Sequence, residues 1–255
     1  MTQVSQKDIR ALALRGAAGL MTNSPLLFAL LVAALLWRVW LSQRLGLDQA
    51  TAYDQIQSPR AIGLIFIREA CLAGAMVGAA RAVTGATRAQ LALSAWALLV
   101  FWEFVVAVAL EGVLAAELKV YWTWVHASLP PMALRVAVGC TGASAIFLVS
   151  IYFLCRFLPM VGGLALGESS WTPWRALTQT RGSFMPIAKG LLVVTVPLAL
   201  CRIAAGAAAE HVDGLVVGGI LHAIEALFLL LGAAATGATG TRWATRPIVV
   251  AVAAA

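Results

Sequence analysis

The sequence predicts an all-α, polytopic transmembrane helix bundle of about six spans, N-in and C-in, with cytoplasmic interfacial helices. Three observations predict it. Hydrophobic residues make up 62% of the 255 residues and charged residues only 11%. A soluble domain carries roughly 25% charged residues, so this composition cannot cover a water-facing surface. The apolar residues collect in six runs near the roughly 20 residues that a helix needs to cross a bilayer. Lys and Arg are divided unequally between the two sides of those runs. The mean hydropathy of +0.90 agrees. A soluble globular enzyme, a disordered chain and a DNA-binding domain are excluded.

The chain opens with no secretory signal. Residues 5–21 carry Lys7, Arg10 and Arg15 among interrupted apolar residues, and Ser5 with Asp8 has capping-box spacing. This predicts a cytoplasmic amphipathic arm, residues 1–24, lying on the membrane surface. Asn23-Ser24-Pro25 then reads as a cap followed by a helix-initiating proline. The transmembrane domain covers 25–236. Its first span is expected at 25–41, with Trp37 and Trp40 at headgroup level. A polar loop closed by Pro59 leads to the second span, 61–80, and a basic turn with Arg81 and Arg88 leads to the third, 90–110. A loop with Tyr121, Trp122 and Trp124 is expected to lie flat on the outer interface. Pro130 and Pro131 start the fourth span, 132–154. The fifth, 184–205, contains Pro197, which removes one helical hydrogen bond and kinks the helix. The sixth covers 214–236, and a tail with Arg242 and Arg246 occupies 237–255.

Orientation follows from the basic residues. Eleven fall on the side of the N-terminal arm, and five (Arg38, Arg44, Arg60, Lys119, Arg202) fall on the other. The positive-inside bias therefore places both termini in the cytoplasm. The net charge of +7 sets this orientation and meets anionic lipid headgroups; no nucleic acid is expected as a partner. The four cysteines, Cys71, Cys140, Cys155 and Cys201, match no metal or haem spacing and read as small buried hydrophobes.

Ionisable residues inside the spans are the first place to look for function, because each costs a few kcal/mol to bury. Arg68 and Glu69 lie in the second span, Glu103 in the third, His222 and Glu225 in the sixth. At 1.5 Å per residue the first four sit roughly 10–12 Å below the outer surface, and Glu225 somewhat deeper. Arg135 enters the fourth span near the same surface. These six form one expected buried polar cluster. Arg68 paired with Glu103 or Glu69 would lock adjacent helices. Alternatively the cluster lines a cavity for a proton, an ion or a small polar solute. His222 and Glu225 share a face one turn apart, but two ligands do not make a metal site, and no cofactor is expected. Small residues at four-residue spacing, Gly74 with Gly78, Gly139 with Ala143 and Gly214 with Gly218, are expected to let helices approach closely.

Between the fourth and fifth spans, Thr172-Pro173 starts a short helix and Gly182 ends it. Trp171, Trp174 and Leu177 recur every three residues, with Arg175 and Arg181 nearby. This predicts a cytoplasmic interfacial helix, its tryptophans in the headgroups and its arginines near phosphates. The order Tyr152, Arg156, Pro159, Glu168, then Trp174-Arg175-Ala176-Leu177 and Thr180-Arg181-Gly182 resembles a broad group of bacterial six-span membrane proteins. That group includes the YciC-like proteins and the membrane domain attached to some glycerophosphodiester phosphodiesterases. The match covers about 40 residues (152–191), and Leu177-Thr178-Gln179 stands where that pattern has tryptophan and leucine. The resemblance implies a six-helix integral protein of the bacterial inner membrane without a catalytic centre in that domain. No phosphodiesterase domain is present, so that activity does not carry over.

No nucleotide-binding loop, nucleophile elbow or zinc-protease motif occurs. The expected function is a non-catalytic accessory or scaffold subunit, packed against other membrane proteins and lipids. A permease component for a small solute or lipid is the alternative. An intramembrane enzyme acting on a lipid or isoprenoid ranks last, because a D-D-x-x-D type acidic pair is missing.

Overall fold

Proline and glycine mark where the helices begin and end. A computed structural model of the chain describes residues 5–47, 58–85, 94–108, 123–124, 132–212 and 215–244, with side chains described except at 132–147, 150, 210, 215 and 244. The first helix, α1 (Gln6–Asn23), is capped by Ser5, whose Oγ accepts from the Lys7 amide at 3.2 Å. It stops at Ser24, the residue before a proline, which leaves the helical region with φ −141°. Pro25 then opens α2 (Pro25–Arg44) and Pro59 opens α3 (Pro59–Thr84), each in the first turn where its missing N–H costs nothing. Gly85 ends α3 at φ 68°, its amide donating to the Arg81 carbonyl at 2.8 Å. The next helix is α4 (Ser94–Val108).

Helix α5 (Met132–Ala165) is longer than the expected fourth span. It continues through Pro159 and ends at Gly167, φ 94°, with the Glu168 amide donating to the Gly163 carbonyl at 2.9 Å. Helix α6 (Pro173–Gln179) has Thr172 as its N-cap. Helix α7 (Phe184–Glu210) continues through Pro197, and α8 (Leu215–Ala244) completes the set. The expected tail therefore starts too early. Residues 237–244 are helical, and Ala238, Thr239, Thr241 and Trp243 are buried. Their run of Ala, Gly and Thr looks too weakly apolar for a span, but Thr236 and Thr239 return their hydroxyls to carbonyls four residues back and so add no unsatisfied polar group.

Helix α8 is the hub. It packs against α1, α2, α3, α5 and α7. The backbones meet through small residues. A Cβ on Gly237 would lie 2.6 Å from Met76 of α3, a Cβ on Gly16 would collide with Ala238, and Gly162 of α5 abuts Gly240. Helix α1 is amphipathic as expected, but it does more than lie on a surface. Ile9, Ala13, Gly16 and Leu20 are buried against the bundle, and Asp8 pairs with Arg242 at 3.2 Å.

Small side chains, Ala73, Ala75, Ala79 and Ala80 of α3 and Ala234, Ala235 and Ala238 of α8, line the interior together with larger ones such as Leu158, Leu164 and Leu230. Large apolar side chains such as Leu26, Phe66, Phe101, Leu200, Ile203 and Val216 point outward. Water would drive the opposite partition. Hydrocarbon does not, because helices in lipid associate by close packing rather than by burying grease. Four helices among the described residues are long and apolar enough to cross a membrane: Pro25–Arg44, Pro59–Thr84, Phe184–Ala209 and Val216–Trp243. Ser94–Val108 and Ile151–Ala165 are shorter apolar segments. The third expected span falls partly outside the described residues, as does most of the loop with Tyr121 and Trp122, while the fourth lies within α5 with most of its side chains not described.

Candidate functional site

The expected single polar cluster resolves into two groups. The first joins α2, α3 and α4. The Arg68 Nε lies 2.6 Å from Glu69 Oε1, and the Glu69 side chain is almost wholly buried. Adjacent residues on a helix diverge by about 100°, so this pair forms only because the long Arg68 side chain folds back across the helix. Glu103 lies within electrostatic reach of Glu69, and Arg38 and Glu69 both lie within reach of Cys71. Arg38, counted from sequence as an outer-side loop charge, donates to the Leu64 carbonyl of α3 at 3.0 Å.

The second group joins α7 and α8. Glu225 sits between His222 at 3.4 Å and Arg202 at 3.6 Å. Sequence reasoning missed Arg202, placing it with the outer loop charges. The signal was available: at 3.6 residues per turn, Arg202 and Gly206 share a face of α7, and the glycine leaves room for a carboxylate. A Cβ on Gly206 would touch the Glu225 carboxyl at 3.4 Å. His222 also lines an outward-opening groove of about 660 Å³ between α2, the end of α7 and the start of α8, with Trp40, Gln43 and Val212. Arg135 lies in α5 at a position whose side chain is outside the described residues. Among the described residues no group of three or more His, Cys, Asp or Glu could hold a metal ion.

The expected packing glycines divide. Gly74 faces Leu31 at 3.1 Å, and Gly78 faces Leu20 at 2.8 Å and Leu27 at 3.1 Å, all distances from a built Cβ. Among the described residues, a Cβ on Gly218 would meet nothing within 4 Å. The surroundings of Gly139 and Gly214 lie outside the described residues, and so does Cys140. Cys71 and Cys155 are buried thiols, whereas Cys201 is exposed.

The segment after α5 departs from expectation at one tryptophan. Trp171 is 3% exposed, packed on Gly163 inside the fold rather than among headgroups. Its Nε1 donates to Glu168 Oε2 at 2.7 Å, and the Arg175 guanidinium lies 4.2 Å from its ring centroid. Only Trp174, 76% exposed, stands where an interfacial anchor would. Arg181 follows the helix and is exposed. Arg156 donates to the Leu177 carbonyl in the last turn of α6 and lies 5.8 Å from the Tyr152 ring centroid. Tyr152, Arg156, Glu168, Trp171 and Arg175 thus tie α6 to the end of α5. Trp171→Phe keeps the ring but loses the bond to the carboxylate. A loss of about 1.5–3 kcal/mol is expected, measured as a lower melting temperature in detergent.

Among the described residues every regular element is a helix, four helices are long and apolar enough to cross a membrane, and three of these four carry paired charges. Scans against protein-family models, curated proteins and solved structures each return no match.

Proposed function

We propose that this chain is an integral membrane accessory or scaffold subunit that packs against other membrane proteins and lipids and carries out no catalysis of its own. One observation carries the proposal. The charges within the spans engage one another, Arg68 with Glu69 and Arg202 with Glu225 and His222, while large apolar side chains face outward. Paired charges of this kind fix helix positions, and a broad apolar exterior offers surface to lipid and to neighbouring helices.

The same proposal includes six spans with both termini in the cytoplasm of a bacterial inner membrane. The alternation of contacts supports it. The ends of α3 and α5 and the starts of α2, α4 and α7 all gather around α1 and the end of α8. Kinship with the YciC-like group belongs to this proposal too, supported by the interlocked residues around 152–180. Trp174 and the basic inner end would then meet anionic headgroups.

Purification of the full chain in mild detergent tests it. Stoichiometric membrane-protein partners should elute with the chain. Elution alone, together with solute uptake in liposomes, would defeat the scaffold proposal. That result would favour a permease component, whose supporting observation is the groove beside His222, backed by Glu225 and Arg202. Glu103→Gln separates the two: folding and uptake should be measured independently, and intact folding with lost uptake points to transport.

A further inference from the structure

A second cavity, of about 880 Å³, opens between α2 and α3 beside α1 and α4. Its size falls in the range of small-molecule sites. Its shape follows from the sequence of α3. Ala70, Gly74, Val77 and Arg81 recur at helical spacing on one face. The first three are small enough to leave a trough, and the fourth places a guanidinium at its end. Leu27, Leu30 and Leu31 of α2 form the opposite wall, and Leu30, 60% exposed, leaves the trough open sideways to the lipid.

The trough has a direction and a length. From Ala70 to Arg81 the helix rises roughly 16 Å. The hydrocarbon of one leaflet is about 15 Å, half of a core about 30 Å thick. The deep end is therefore apolar over one acyl-chain length, and the mouth lies at headgroup level. At the mouth stand Arg81, Asn23 and Ser24, with Trp96 beside them. None of the described residues lining the cavity is acidic. An apolar trough with a cationic, hydrogen-bonding mouth complements one kind of molecule: a lipid with an anionic headgroup.

We propose that the α2–α3 trough binds a single anionic phospholipid, one acyl chain against Leu30 and Leu31 and its phosphate at Arg81. This rests on the lipid contacts proposed above and names their site. It does not depend on the capture of a protein partner. Selective lipid binding by a chain that elutes alone and takes up solute would end the scaffold proposal and keep this one, and partners without selective lipid binding would do the reverse.

The test uses the purified full-length protein in a neutral detergent, titrated with phosphatidylglycerol or phosphatidylcholine, with bound lipid counted by native mass spectrometry. Phosphatidylglycerol should bind more tightly. Arg81→Gln should weaken it about fivefold, the order expected for one guanidinium beside anionic headgroups, with little change for phosphatidylcholine. Leu30→Trp should reduce binding of both lipids by filling the trough. Arg15→Gln, at an exposed position on α1, should change binding less than twofold. Equal losses from Arg15→Gln and Arg81→Gln would overturn the site in favour of diffuse charge. Unchanged binding in Leu30→Trp would overturn it as well, as would competition by glycerol phosphate, which has no acyl chain. If Arg81→Gln does not fold, Leu30→Trp decides alone, because its position already faces the lipid.

Discussion

Gly162→Ala should cost the protein most of its recoverable folded material. A methyl group there would collide with the carbonyl carbon and oxygen of Gly240 and with the Thr241 amide. All three are backbone atoms of the hub helix and cannot rotate aside. The reciprocal contact is as tight, since a Cβ on Gly240 would lie 2.6 Å from the Gly162 amide nitrogen. Overpacking of a yielding core costs about 1–3 kcal/mol, and this crossing has no side chain that can yield. A loss at or above about 3 kcal/mol is therefore expected, read as a collapse in monodisperse yield and melting temperature. Gly218→Ala is the matched comparison. Its Cβ would meet none of the described residues, and the variant should gain up to about 1 kcal/mol from helix propensity. Equal behaviour of the two variants would mean that α5 and α8 do not cross at Gly162.

Glu69→Ala should be the most damaging change among the charges. The residue is 3% exposed and holds Arg68 at 2.6 Å. Removing one member of a buried ion pair strips the other charge of that counter-ion, at a cost of about 3–5 kcal/mol. The double variant Arg68→Met with Glu69→Leu removes both charges and keeps the volume. It should melt closer to the native protein than Glu69→Ala does. A double variant as unstable as the single one would show that these side chains matter through other contacts than each other.

Much of this was legible in the sequence because lipid imposes a simple rule on it. A chain that hides its backbone in hydrocarbon must do so by helices, and Pro25, Pro59 and Gly85 punctuate them as their backbone preferences require. The paired positions were harder. Arg68 and Glu69 could be marked as costly, and Glu69 could be named as one of two candidate partners for Arg68; the structure brings these sequence neighbours to 2.6 Å. Arg202 was only counted with the outer-side charges, because its partner Glu225 lies on another helix. Small residues were the least legible. The spacing that makes Gly74 and Gly78 a contact is the same as that of Gly214 and Gly218, yet Gly218 faces open space. Pattern gives the face of a helix, not what stands opposite it. The buried end of α8 was lost for a related reason: alanine, glycine and threonine read as weakly apolar, although their small size is what qualifies them for the centre.

The central position of α8 has a consequence for biogenesis. The helix that every larger neighbour packs against comes after all of them in the chain. By the time Trp243 has left the ribosome, α3 has been made for some 160 residues, on the order of ten seconds or more of translation. During that interval α1, α3, α5 and α7 lack the partner that fits between them. Helices α1, α2 and α3 pack on one another and can do so before α8 exists, so the contacts around α8 are the last that the chain can make.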